Sequence, residues 1–241
     1  MKKLTVVWVA LLVLATAGPA AALEVSGDAY AGVASKYLWR GYDLSGGLPV
    51  VQGGVDLSAK GFTLGFWSNF QTMTDPGEGY RSNEITETDV TLDYSMDVTD
   101  LVSVSVGHIF YALDGINDTN ELYLGVGLNT LLSPSLTVYY DYDEADETGL
   151  FYSASIGHSF DLVDKVALNL GALVSYNDES DYSVGDYSDW HNYELSASID
   201  YAPLENLTVS PSVIFSEGLS DDARAAIDSQ LVSGLNVTLA F

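Results

Sequence analysis

Carboxylates are the reactive groups this chain carries in quantity. Against 34 Asp and Glu stand 8 Lys and Arg, 3 His and no Cys, a formal net charge of -26. Two acidic runs, Asp141-Tyr142-Asp143-Glu144-Ala145-Asp146-Glu147 and Asn177-Asp178-Glu179-Ser180-Asp181, invite a calcium reading. Neither follows the EF-hand spacing, which needs ligands at loop positions 1, 3, 5 and 12 with Gly at 6. The expectation is weak divalent-cation binding at acidic loops and no dedicated metal site. Three histidines without cysteine make a poor zinc set. Acyl transfer is also unsupported. His158 and Ser159 are adjacent, so on a strand they would point to opposite faces. His108-Ile109-Phe110 and His191-Asn192-Tyr193 supply no serine, and no G-x-S-x-G elbow is present. The three histidines read as interfacial or outward residues. No catalytic residue and no cofactor is assigned, and the chain reads as a non-enzyme.

The charge excludes other classes of partner. Phosphate binding needs a basic footprint, so nucleic acid is a poor partner. Anionic lipid surfaces would be repelled. What the carboxylates suit is either solvation of exposed loops or attraction of cations. Which of these holds depends on the elements that carry them.

Those elements are strands. Leu231, Leu235, Val237, Leu239 and Phe241 fall on one face of the final segment; Val232, Gly234, Asn236, Thr238 and Ala240 fall on the other. An exposed apolar strand is an aggregation hazard in water. This one, with Leu235, Val237, Leu239 and Phe241 in phase, resembles the C-terminal assembly signal of Gram-negative outer-membrane barrels. The other end agrees. Lys2 and Lys3, the apolar run Leu4 to Ala17, the Gly18-Pro19 break and Ala20-Ala21-Ala22 form a secretory signal peptide over residues 1–22. Residues 23–241 would be the mature domain. Tyr occurs 16 times, and Gly, Ser, Val and Leu are abundant, which favours strands.

Alternating segments lie near 26–39, 49–58, 62–71, 85–97, 101–112, 120–131, 135–143, 149–160, 165–176, 190–201, 206–216 and 231–241. Short connections at 59–60, 98–100, 132–134, 162–164 and 202–205 alternate with longer, more acidic ones at 40–48, 72–84, 113–119, 144–148, 177–189 and 217–230. That rhythm predicts an all-β fold: a single up-and-down antiparallel transmembrane β-barrel of about 12 strands, with short periplasmic turns and longer outer loops. Both termini are then periplasmic. Lipid offers the backbone no partners, so a closed barrel is one of the two architectures that can span it. Tyr94, Tyr152, Phe160, Tyr176, Tyr193 and Tyr201 fall near strand ends on the apolar face, where aromatic girdles sit. Within 217–230, Ser220 to Asp228 reads as a surface loop with a helical turn.

The lumen-facing parity then collects candidate site residues. These are Gln52 and Asp56 on one strand, Trp67 on the next, then Glu87, Asp89, Asp93, Glu121, Asp141, Asp143, Glu194 and Asp200. Lys36 joins them, with Arg40 at the rim. An acidic lumen favours cations, so the leading function is a porin-like channel for small polar or cationic solutes. The alternative is a non-conducting structural or surface-interaction barrel, closed by its own side chains and acting through acidic outer loops. Arg40 near Asp56 would brace the barrel or line a path. Expected partners are outer-membrane lipid and lipopolysaccharide, the barrel-assembly machinery, and divalent cations at the acidic loops.

One stretch is more specific. Ser35-Lys36-Tyr37-Leu38-Trp39-Arg40-Gly41 is followed by Pro49-Val50-Val51-Gln52-Gly53-Gly54-Val55-Asp56, then by Gly61-Phe62-Thr63-Leu64-Gly65-Phe66-Trp67-Ser68-Asn69. This resembles the opening of the Gcw_chp-type family of bacterial outer-membrane proteins, whose function is not established. Arg40, Gly41, Gln52, Gly53, Asp56, Gly65 and Trp67 carry the match, over about the first third of the mature chain. The resemblance implies an outer-membrane barrel and adds no substrate.

Overall fold

A computed structural model describes residues 24–74, 77, 79 and 81–241; the segment 1–22, expected to be a signal peptide, lies outside the described residues. Twelve strands close into one antiparallel barrel. They are β1 (Ser26–Ala34), β4 (Val50–Ala59), β5 (Phe62–Gln71), β6 (Glu84–Asp97), β7 (Val102–Leu113), β8 (Thr119–Leu128), β9 (Ser135–Asp141), β10 (Leu150–Val163), β11 (Val166–Ser180), β12 (Gly185–Leu204), β13 (Leu207–Gly218) and β14 (Gln230–Ala240). Each strand pairs with its neighbours in sequence, and β1 closes on β14 in the register Asp28↔Ala240 to Ala34↔Gly234. A small hairpin of β2 (Leu38–Trp39) and β3 (Tyr42–Asp43) stands apart from the barrel sheet. A single turn of helix, α1 (Asp221–Ala226), precedes β14; the Ser220 hydroxyl caps it by accepting from the Ala223 amide at 3.1 Å.

The barrel is apolar outside and polar inside. Leu64, Phe66, Leu92, Val106, Leu124, Leu136, Ile156, Leu195, Val213 and Leu235 are all exposed on the outer face. The most buried side chains include Asn69, Gln71, Glu121, Asp141, Asn177, His191 and Asn192. A water-soluble domain has the opposite distribution; this one is built for lipid. The strand-end aromatics face outward and touch across strands at both rims. Phe62 packs on Tyr94 at 4.6 Å near the rim that carries the chain termini. Tyr152, Tyr176 and Trp190 form a chain of edge contacts near the opposite rim, 6.1 and 5.8 Å between ring centres.

Four strand boundaries differ from the alternation pattern. β1 ends at Ala34 and not at residue 39, because the Ser35 hydroxyl accepts the Ser233 amide at 3.1 Å and takes the place of the next ladder carbonyl. β9 ends at Asp141, whose carboxylate accepts the amides of Asp143 and Glu144 and turns the chain out of the sheet. The acidic loop expected over 177–189 is mostly strand: β11 and β12 leave a connection of 181–184. Between them, Val174 pairs with Tyr193 and Tyr176 with Trp190, so Ser175 faces both His191 and Asn192. That bulge turns His191 inward, against the outward placement its parity suggests. Residues 221–226 form the helical turn expected within 217–230.

Phe241 caps the closing seam. Its backbone exchanges two hydrogen bonds with Gly27, at 2.8 and 2.9 Å, and its ring lies where a Gly27 Cβ would come within 2.9 Å. Deleting Phe241 removes both bonds, each worth about 1 kcal/mol. The expected outcome is a lower urea midpoint in detergent and a larger unfolded fraction on an unheated gel.

Candidate functional site: the lumen and its inward hairpin

Residues 35–49 leave the rim and fold into the barrel. Lys36 starts the descent, its Nζ donating to Gln230 Oε1 at 2.7 Å and pairing with Asp43 at 3.2 Å. The buried Ser45 hydroxyl accepts the Tyr37 amide at 2.9 Å, and the Asp43 carboxylate accepts the amides of Ser45 and Gly47. These side-chain bonds hold the base of the hairpin, as Asx-type turns do. Tyr37 packs on Trp67 at 5.4 Å and donates to Glu87 Oε2 at 2.9 Å. Burial, with Glu87 adding to it, pushes the Tyr37 phenol well above its ordinary range. Trp39 meets the Tyr111 ring edge-on at 6.2 Å; Tyr42 stacks on His191 at 6.0 Å and bonds the Val184 carbonyl.

Arg40 is at the tip. Its φ is 47°, in the left-handed region, and Gly41 follows at 83°. A Gly41 Cβ would sit 2.5 Å from Ile227 Cδ1, so only glycine fits the turn beneath the α1 loop. The guanidinium makes a bidentate pair with Glu121, Nη1 to Oε1 at 2.8 Å and Nη2 to Oε2 at 2.7 Å. Nη1 also donates to Ser183 Oγ at 3.1 Å. Three rings surround the cation: Trp39, Tyr139 and Phe151, at 4.5, 4.9 and 4.4 Å from Cζ. Tyr111 donates to Glu121 Oε2 at 2.8 Å. Only 8 % of the Arg40 side chain and 1 % of Glu121 is exposed. Desolvation opposes the Arg40 charge, but the Glu121 carboxylate outweighs it and the guanidinium is held above its ordinary pKa. His191 fixes the hairpin from the other side. Its Nε2 lies 2.6 Å from the Arg40 carbonyl, so Nε2 carries a proton. The Tyr187 hydroxyl then donates to Nδ1 at 2.5 Å in the neutral tautomer.

The candidates from the sequence fall into three environments. Gln52 donates to Asn69 at 3.1 Å and Trp67 carries Tyr37, so both support the hairpin. Glu87, Glu121 and Asp141 are buried at the level of the hairpin; Asp141 is bonded to Thr119 at 2.8 Å. Asp89 and Glu194 line a cavity beside Arg40, and Asp56, Asp93 and Asp200 face the interior farther from the hairpin tip. Asp56 lies opposite Asp28. Asp93 accepts from Tyr123 at 2.6 Å, Glu194 from Asn192 at 3.1 Å, and Asp200 from Ser210 at 2.7 Å and Asn169 at 2.9 Å. Tyr123 reaches Asp93 by lying across Gly107, where any Cβ would strike the ring at 2.3 Å. Three placements differ from expectation. Arg40 is inside the lumen against the wall of β8, β9 and β10 and not at its rim; it pairs with Glu121 and not Asp56; and Asp143 is exposed beyond β9, bonded to Asn120. His158 and Ser159 do point to opposite faces, His158 packing on Phe160. The hairpin's aromatic partners Tyr111, Tyr139 and Phe151 went unrecognised. Their signal was available: large rings on the lumen parity of β7, β9 and β10.

Two halves result. Near the hairpin the interior is filled by large side chains. Toward the terminal rim the inward side chains are small and polar, among them Ser103, Ser105, Gly127, Ser155, Ser198 and Ser210, and none is buried. Two cavities of about 330 Å³ adjoin the hairpin. One is walled by Tyr30, Lys36, Gln52, Trp67 and Asn236, the other by Trp39, Arg40, Asp89, Tyr111 and Glu194. Among the described residues no group of three or more His, Asp or Glu converges to hold a metal ion.

Comparison with known proteins places this geometry. A family profile described as "Bacterial protein of unknown function (Gcw_chp)" matches residues 16–202. No curated protein matches the sequence. In fold the chain is similar to the KdgM porin, with a TM-score of 0.56 at 14 % identity over 90 % of this chain and 99 % of that one. It is similar also to the NanC porin, with a TM-score of 0.55 at 12 % identity over 88 % and 98 %. The COG4313 outer membrane channel from Pseudomonas putida F1 follows, with 0.51 at 10 % identity over 93 % and 100 %. At such identities the likeness is one of fold: a porin-like barrel.

Glu121→Gln leaves the Arg40 charge buried without its counter-ion, at a cost of about 3–5 kcal/mol. The expected outcome is a lower denaturant midpoint and faster amide exchange across 35–49. Adding Arg40→Met to that variant recovers most of the loss, because removing both charges removes the penalty.

Proposed function

The chain belongs to the Gcw_chp family of bacterial proteins, and from that premise we propose that it is a porin-like channel of the outer membrane, passing small polar solutes and favouring cations. The observation that carries this reading is the charge of the half of the lumen away from the hairpin. Asp28, Asp56, Asp93 and Asp200 face it, while Lys36 and Arg40 are both engaged in ion pairs at the hairpin. Lys60 and Lys165 stand on the turns at that rim, and the inward face behind them carries these carboxylates; acidic linings favour cations. The hairpin narrows the other half and sets what fits past it.

In this reading both termini and the short turns are periplasmic, and the hairpin, α1 and the acidic loops face outward. There the loop carboxylates meet divalent cations that bridge lipopolysaccharide. The Leu235, Val237, Leu239 and Phe241 face of β14 is what the assembly machinery would read, after removal of the leader 1–22. The work of the protein is then passage and not catalysis.

Planar-bilayer recording of refolded protein tests it. The expected result is discrete conductance steps with a reversal potential shifted toward potassium in a potassium chloride gradient. Replacing Asp56, Asp93 and Asp200 together by Asn should lower the potassium-to-chloride permeability ratio about twofold or more. Folded barrel without steps would overturn the channel and favour a closed barrel working through its surface loops. Steps with an unchanged ratio would overturn the cation preference.

A further inference from the structure

We infer that the Glu121 cage is a receptor for guanidinium-type cations that the chain fills with its own Arg40, so that a free cationic solute of this class competes with the hairpin for the lumen. The inference rests on the channel reading for its consequence and on the cage geometry for its substance. The receptor belongs to the barrel wall. Glu121 on β8 supplies both carboxylate oxygens, Tyr111 on β7 orients one of them, and Tyr139 on β9 and Phe151 on β10 supply ring faces. A planar cation with a fork of donors is the chemistry such a site recognises: bidentate to carboxylate, with π faces above and below. The occupant belongs to the hairpin, which brings Arg40 in on a left-handed tip. Occupant and receptor are therefore separable without breaking any barrel ladder.

The cage also opens onto a cavity. The cavity of about 330 Å³ that touches Arg40 is walled by Tyr111, Tyr139 and Phe151 themselves, together with Asp89 and Glu194. One buried oxygen of Asp89 has no hydrogen-bond donor. A cationic solute held there faces the carboxyl groups of Glu194 and of Asp89, the latter lying against Glu87, beside the group it would displace. Displacement frees the Arg40 side chain from the cage, and the tip is then held by the Trp39, Tyr42 and His191 contacts.

The test vacates the receptor. Arg40→Gly removes the occupant and suits the positive φ at that position. Methylguanidinium is titrated into the folded variant in detergent, with potassium chloride at equal ionic strength as the control. Saturable binding is expected in Arg40→Gly and weaker binding, by about tenfold or more, in Arg40→Gly combined with Glu121→Gln. Wild-type protein should bind less than Arg40→Gly because its own Arg40 competes. No saturable binding to folded Arg40→Gly, or equal binding with and without Glu121, overturns the proposal. Should Arg40→Gly fold poorly, refolding with methylguanidinium supplies the second measurement. A higher folded yield than in potassium chloride supports the cage, and an unchanged yield overturns it. Binding is read without any conductance, so these outcomes stand apart from those of the bilayer experiment.

Discussion

A sheet in lipid cannot leave an edge unpaired, because the hydrocarbon offers its amides and carbonyls nothing. The β1–β14 ladder meets that constraint here, running from Asp28↔Ala240 to Ala34↔Gly234. Everything else follows from closing there. Closure turns the Leu and Val parity outward along every strand and encloses the Asp, Ser and Gly parity. It also releases residues 35–49 from the sheet, since Ser35 ends the ladder with its own hydroxyl. The chain that would have extended the first strand is then free to fill the interior.

Filling the interior creates a second problem, and the wall solves it. A guanidinium taken from water needs a counter-charge and donors' partners on every side. Glu121 supplies two bonds, Ser183 a third, and three rings line the remaining faces. The carboxylate in turn is bonded by Tyr111. Such a network is strong only when complete, and the neighbouring contacts of Tyr37 with Glu87 and His191 with the Arg40 carbonyl complete it. Packing of this quality stops at the hairpin. Toward the terminal rim the inward residues are too small to meet across the lumen, and the carboxylates there bond only to neighbouring side chains on the same wall, as Asp200 does with Ser210.

The barrel was legible in the sequence because period-two alternation is a local signal. Gln52, Asp56, Trp67, Glu121, Glu194 and Asp200 could be assigned to the inner face by counting alone. Counting fails where a hydroxyl or a bulge resets the register. Ser35 ends β1 five residues before the apolar pattern does, and Ser175 opposite His191 and Asn192 reverses the histidine. The Arg40–Glu121 pair was illegible for a different reason. The sequence separates its members by 81 residues, and nothing local to either marks the other. The S-x-Y-x-W-R-G stretch is, in the structure, part of the hairpin, and the Pro49–Asp56 and Gly61–Asn69 stretches are part of its socket: Tyr37 rests on Trp67, and Gln52 orders Asn69 beneath it.

That separation ties the hairpin to the finished barrel. The hairpin lies near the start of the chain, yet the groups that seat it come from β8, β12 and the first residue of β14, as far as 194 residues on at Gln230. Its socket is complete only when the closing strand is in place, so a barrel truncated before β14 lacks part of the seat. One loop thereby reports on the integrity of the whole cylinder.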